Sequence, residues 1–124
     1  NRPLTDREAH DLVFAIKLSK HSKSNTVILV KDKQLIGAGS GLTSRVDALK
    51  LAIRRSEEFG FPLQGSVMAS DAFFPFPDAM EMGCKYGVTA IIQPGGSVND
   101  EEIIKRADEL DISMVFSGRR YFRH

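Results

Sequence analysis

Ser70-Asp71-Ala72-Phe73-Phe74-Pro75-Phe76-Pro77-Asp78 follows the short apolar run Val67-Met68-Ala69, and its reading decides the fold. Three phenylalanines are unexpected in a plain surface loop, because exposing large rings to water is unfavourable. Two prolines are equally unexpected in a core strand, because each removes a backbone donor. The stretch predicts a stiff turn at the end of a strand. Such a turn has two uses. It is a Pro-stiffened plug of the core with its aspartates capping a helix, or a corner that holds rings and a carboxylate against a flat, polar, heteroaromatic ligand.

The chain on either side of this turn reads as alternating elements. Thr5-Asp6-Arg7-Glu8 is a capping box, and Ala9, Leu12, Val13 and Ile16 then recur at helical spacing until about Lys20. Thr26 to Val30 is a continuous β-branched and aliphatic run, expected as a buried strand. Asp32-Lys33 is a short turn into a second strand over Gln34 to Ala38. Gly37, Gly39 and Gly41 around Ser40 mark a turn, followed by a helix from about Ser44 to Phe59 with Val46, Leu49, Ala52 and Ile53 inward. Gly60 stops it. Further strands are expected at 66–70, 88–92 and 112–116. Helices are expected from Asp78 to before Gly87 and from Asn99 or Asp100 onward, with Ile103, Ile104, Ala107 and Leu110 inward. The order α-β-β-α-β-α-β-α-β predicts an antiparallel first pair and parallel later crossovers, with helices on both faces of a mixed five-stranded sheet. Ligands in such sheets collect at the carboxyl ends of strands, where the Phe/Pro turn and the Gly95-Gly96 loop both fall.

Size and charge bound the function. The 124 residues, 42% of them hydrophobic, suit a single domain over 1–124. Seventeen basic and 16 acidic side chains leave a net charge of +1, which argues against a general nucleic-acid or membrane-surface binder. No apolar run approaches a membrane span and no signal peptide is evident, so a cytoplasmic location is expected. The start at Asn1, close to a helix signal, points to a fragment or processed product. The single cysteine, Cys84, reads as a small half-buried thiol in a helix.

Several constellations have both a chemical and a plain reading. Gly37-Ala38-Gly39-Ser40-Gly41 fits neither nucleotide-binding fingerprint, and its plain role is the strand-to-helix turn. Arg45 opens a helix, where a cation opposes the macrodipole. It either receives an anion such as a phosphate or is simply solvated. Lys20-His21, with Lys23 and Asn25, is a proton-moving pair or a polar helix end. Asp71 and Asp78 are an acid–base pair, or Asp78 is an N-cap. Gly95-Gly96-Ser97 offers backbone amides to an anion, or is only a turn. Cysteine count and the scattered His10, His21 and His124 give no metal-ligand spacing, and His10 reads as a helix surface residue. The basic, aromatic end Arg119-Arg120-Tyr121-Phe122-Arg123-His124 is expected to dock rather than trail.

The stretch 70–78 closely resembles a signature of AICAR transformylase, the carboxy-terminal activity of the purine biosynthesis enzymes that also carry IMP cyclohydrolase. Lys23-Ser24-Asn25, Ser44-Arg45-Val46-Asp47, the run Gly87-Val88-Thr89-Ala90-Ile91-Ile92-Gln93-Pro94-Gly95-Gly96-Ser97, and Phe122-Arg123-His124 resemble the same final segment in order. The resemblance implies a cytidine-deaminase-like three-layer α/β/α fold and a carboxy-terminal half-domain of the transformylase. It implies formyl transfer from 10-formyltetrahydrofolate, a co-substrate, to the 5-amino group of AICAR, giving FAICAR. By the same resemblance Asn25 is the catalytic candidate near the reacting centre. Arg45, Phe73, Asp78, Arg120, Phe122 and His124 would hold AICAR, and Pro75, Phe76, Gly95, Gly96 and Ser97 would lie toward the folate. The implied partners are AICAR, reduced folate, the rest of the enzyme and a second copy in a homodimer.

Two departures qualify what is carried over. The family's catalytic Lys-His pair sits in a Lys-His-Gly/Asn-Asn-Pro-type motif that these residues lack, and Lys20-His21 precedes Ser22-Lys23-Ser24-Asn25 instead. The segment is therefore expected to be inactive alone. The deaminase zinc cysteines are missing, so neither zinc nor deamination is implied, while a monovalent cation stays open. The competing reading is a non-catalytic nucleotide-binding or dimerisation module on a deaminase-like fold.

Overall fold

The capping box forms as its residues dictate. The Glu8 amide donates to Thr5 Oγ1 at 3.1 Å, and the Thr5 amide donates to Glu8 Oε1 at 3.0 Å. This starts helix α1, Asp6–Ser19, in a computed structural model that describes residues 3–19, 26–39, 45–71, 74, 77–96 and 98–117, with backbone alone for Ser19 and Arg45. The remaining elements are β1 Val27–Lys31, β2 Gln34–Gly39, α2 Arg45–Glu58, β3 Val67–Ser70, α3 Asp78–Lys85, β4 Ala90–Gln93, α4 Asp100–Glu109 and β5 Ser113–Phe116. Their order is the expected one. No described helix is long and apolar enough to cross a membrane.

The five strands lie in the order β2-β1-β3-β4-β5. β1 runs antiparallel to both of its neighbours, pairing Val27 with Gly39 on one side and with Ser70 on the other. β3, β4 and β5 are parallel, with Ala69 opposite Ile92 and Gln93 opposite Phe116. The β1–β2 hairpin turns at Asp32 and Lys33, both at positive φ (54° and 58°), as a tight two-residue turn with the sheet's twist requires. Neither residue is glycine. The buried Asp11 carboxylate compensates by accepting both turn amides, Asp32 N–H at 2.9 Å and Lys33 N–H at 2.7 Å.

The continuous apolar run of β1 is buried on both faces, as its composition demands. Val27 and Leu29 join one core with Leu49, Met68, Met80, Ile91 and Ile103, while Ile28 and Val30 join a second with Leu12, Ala15 and Ala69. Helices α2, α3 and α4 cover the first face, and α1 covers the second. Beside α1 an apolar groove of about 420 Å³ runs over β4 and β5, lined by Leu4, Val13, Ile16, Ile92 and Val115. Val13, expected inward from its spacing, lies on this groove and is 52% exposed, because α1 alone is too narrow to cover the sheet.

Three expectations shift. Gly37 and Gly39 do not form the turn after β2; they lie within it. A Cβ on Gly37 would stand 2.3 Å from the Ala52 carbonyl oxygen, and one on Gly39 would stand 2.0 Å from that of Ala48. The glycines let α2 sit directly on the strand. Strand β1 starts at Val27 rather than Thr26, whose amide turns to a side chain described below. β4 starts at Ala90 rather than Val88, since Val88 N–H still closes the end of α3 on Gly83 O.

Because backbone rather than a flexible side chain blocks the added methyl, Gly39→Ala should lower stability by about 1–3 kcal/mol or more. Urea denaturation monitored by circular dichroism measures this; a loss under about 1 kcal/mol would refute the close-packing account.

Candidate active-site edge

Of the predicted site residues, Arg45, Asp78, Gly95 and Gly96 are described, and the strand register brings their backbone to one edge of the sheet. Because β1 alone runs the opposite way, its amino end lies beside the carboxyl ends of β2, β3, β4 and β5. Gly39 and Ser70 both pair with Val27, so the strand ends that lead toward Arg45 and toward Phe73 are two strand spacings apart, about 10 Å. Arg45 is the first residue of α2 and Asp78 the first of α3, so both helices enter from this edge. Asn25, Phe73, Pro75, Phe76, Ser97, Arg120, Phe122 and His124 lie outside the described residues, as do Lys20, His21 and Lys23.

The described residues around the aromatic turn are fixed by side chains bonding to backbone. Asp71 Oδ1 accepts the Thr26 amide at 2.9 Å, and the Asp71 amide donates to the Thr26 carbonyl at 3.2 Å. The carboxylate thus ties the end of β3 to the entry of β1. It is a structural anchor, which speaks against the acid–base role considered for it with Asp78. Phe74 resolves part of the ambiguity in the turn. Its side chain is 1% exposed and packs in the larger core, so this ring is a core plug.

Asp78 is one position further into its helix than a cap. Pro77 occupies the N-cap position, and its carbonyl already accepts the Glu81 amide at 2.9 Å, the first helical bond. Asp78 Oδ1 instead accepts the Ala79 amide at 2.9 Å, and the exposed carboxylate stands in the first turn, where the helix dipole favours it. In the glycine loop, Gly95 has φ 77° and packs under Phe116, where a Cβ would come within 2.6 Å of the ring. The Gly96 amide donates to Asp100 Oδ2 at 2.8 Å. That donor is engaged by a carboxylate, so the anion-cradle reading loses support at Gly96.

Sequence reasoning did not single out Gln93. It ends β4 and is fully buried. Its Oε1 accepts the Phe74 amide at 2.8 Å, its Nε2 faces Met114 Sδ at 3.5 Å, and its carbonyl accepts both the amide (2.8 Å) and the hydroxyl (3.2 Å) of Ser117. The signal available was a lone amide closing an otherwise apolar strand, since a buried polar side chain needs a partner.

Among the described residues no three His, Cys, Asp or Glu side chains cluster, and Cys84 lies near the far end of α3 with Sγ 3.8 Å from the Leu110 carbonyl.

The sequence model of the AICARFT/IMPCHase bienzyme family matches residues 1–55. The bifunctional purine biosynthesis protein PurH of Persephonella marina is 52% identical over all 124 residues, and that of Aquifex aeolicus is 52% identical over 123. The chain is similar to one segment of the AICARFT/IMPCHase bienzymes. It spans about a quarter (24%) of the length of these PurH relatives. Among solved structures, the dCMP deaminase of cyanophage S-TIM5 has 15% identity and a TM-score of 0.59, covering 92% of this chain and 99% of that one. Acinetobacter baumannii RibD has 20% identity and a TM-score of 0.58, covering 89% of this chain and 35% of that one. At that identity these two likenesses establish the deaminase-like fold alone.

If Asp71 anchors the edge, Asp71→Ala should cost about 1–3 kcal/mol by leaving the buried Thr26 amide without its carboxylate. Asp71→Asn, which keeps an acceptor oxygen, should lose less. Urea melts of the two variants decide it, and equal losses would discount the hydrogen bond.

Proposed function

We propose that this segment supplies part of the AICAR and 10-formyltetrahydrofolate pocket of a formyltransferase, and that it forms the carboxy-terminal portion of the longer enzyme. The single observation that carries the reading is the convergence of the entries to β1, α2 and α3 on one sheet edge. The high identity to PurH over the whole chain supports assigning that edge to the transformylase half. Arg45, entering there at the start of α2, meets the phosphate of the nucleotide. Asn25 lies by the reacting amine, and the rings of the aromatic turn pack against imidazole and folate.

The chemistry explains why so much positioning is needed. The 5-amino group of AICAR is a poor nucleophile, because its lone pair is conjugated with the carboxamide-bearing imidazole. Its nitrogen forms a bond to the formyl carbon, the carbonyl electron pair moves to oxygen, and the amine loses a proton. Collapse of that tetrahedral oxyanion breaks the bond to the folate nitrogen, which leaves with a proton as tetrahydrofolate. Holding the reactants in near-attack geometry and stabilising the oxyanion are the contributions open to a binding edge. The acid–base pair belongs to the remainder of the enzyme, so the segment works with that remainder, as a homodimer and in the cytoplasm.

Formyl transfer to AICAR, followed by steady-state assay, tests this. The full-length protein should turn over and the 124-residue chain alone should not. Arg45→Ala in the full-length protein should raise the KM for AICAR by about 10- to 100-fold, the loss of one charge-assisted bond to phosphate. A full-length protein that transfers no formyl group rejects the reading and favours a non-catalytic module.

A further inference from the structure

Strand β3 ends at Ser70, just before the aromatic turn. Phe74 is its one described residue between Asp71 and Pro77, and Gln93 Oε1 takes the Phe74 amide. The same glutamine is held from behind. Its backbone pairs in register with Phe116, its carbonyl binds Ser117 twice, and its Nε2 rests on the weak acceptor Met114 Sδ. A buried amide with its oxygen engaged and its strand locked has little freedom to turn.

We propose that Gln93 is a positioning residue for formyl transfer: its side-chain oxygen pins the Phe74 amide, and so holds Phe74 at the end of β4. This rests on the formyltransferase reading above. The side-chain atoms of Gln93 are engaged within the protein. Its oxygen points at backbone, and it acts by holding Phe74. A hydrophobic residue of the same length would fill the space and leave the Phe74 amide without that acceptor, at a site where water is excluded. The turn would then gain freedom, and catalysis that depends on sub-ångström placement would fall.

The test uses the full-length enzyme with Gln93→Met, which keeps volume but removes the acceptor, and Gln93→Glu, which keeps an oxygen at the same reach. Gln93→Asn, one methylene short, serves if the Met variant does not fold. Two readouts are taken. Hydrogen exchange of peptides covering 72–80 should quicken at least tenfold in Gln93→Met and return toward wild type in Gln93→Glu. The kcat/KM for formyl transfer should fall at least tenfold in Gln93→Met, with IMP cyclohydrolase turnover unchanged, and recover to within about threefold in Gln93→Glu. Wild-type kcat/KM in Gln93→Met, or equal damage in the Met and Glu variants, overturns the proposal while leaving the formyltransferase reading intact. A wild-type enzyme without formyl transfer overturns that reading, and the positioning role with it.

Discussion

The antiparallel placement of β1 between β2 and β3 is the constraint on which the rest of the structure depends. A strand entering the middle of the sheet in the opposite sense brings its beginning beside the ends of its neighbours. The chain therefore returns to one edge repeatedly, each time just before or after an element that the core holds rigidly. The apolar runs of β1 and β3, buried on both faces, make a slip of register costly, because one residue of slip would exchange the two cores. The edge inherits its precision from that cost.

What completes the edge is polar. The Asp71 carboxylate and the Gln93 side-chain oxygen each accept a backbone amide. Such bonds tie loops to strands without needing a ladder. They also explain why the termini of strands, normally the most forgiving parts of a sheet, here carry residues that an apolar substitute would not replace.

Much of this was legible in the sequence, for identifiable reasons. Period-3.6 spacing and a capping box gave α1, and β-branched runs bounded by turn residues gave the strands, so element order and sheet type followed. Arg45 and Asp78 were placed at helix starts because breakers precede both. The misreadings have a common cause. Gly37 and Gly39 look like a turn locally, yet their purpose is set by a helix packed over them. Val13 has core spacing, but which stripe of α1 is covered depends on how far the sheet extends beyond it. Asp78 looked like a cap because Pro77, whose carbonyl starts the helix, cannot be told from the turn before it. Gln93 was missed because its partner is 19 residues away and is a main-chain group. Contacts of that kind leave no periodicity to read.

The opposite edge of the sheet has its own set of ties. Glu8 accepts the Thr89 hydroxyl at 2.6 Å, Asp11 caps the hairpin, and Arg7 Nη1 donates to the Gly65 carbonyl at 3.1 Å. These bind α1 to the strand starts and share no atom with the tethers at the other end. The two ends of the sheet are therefore held by independent sets of bonds, and removing a tie at one end leaves the hydrogen bonds of the other in place.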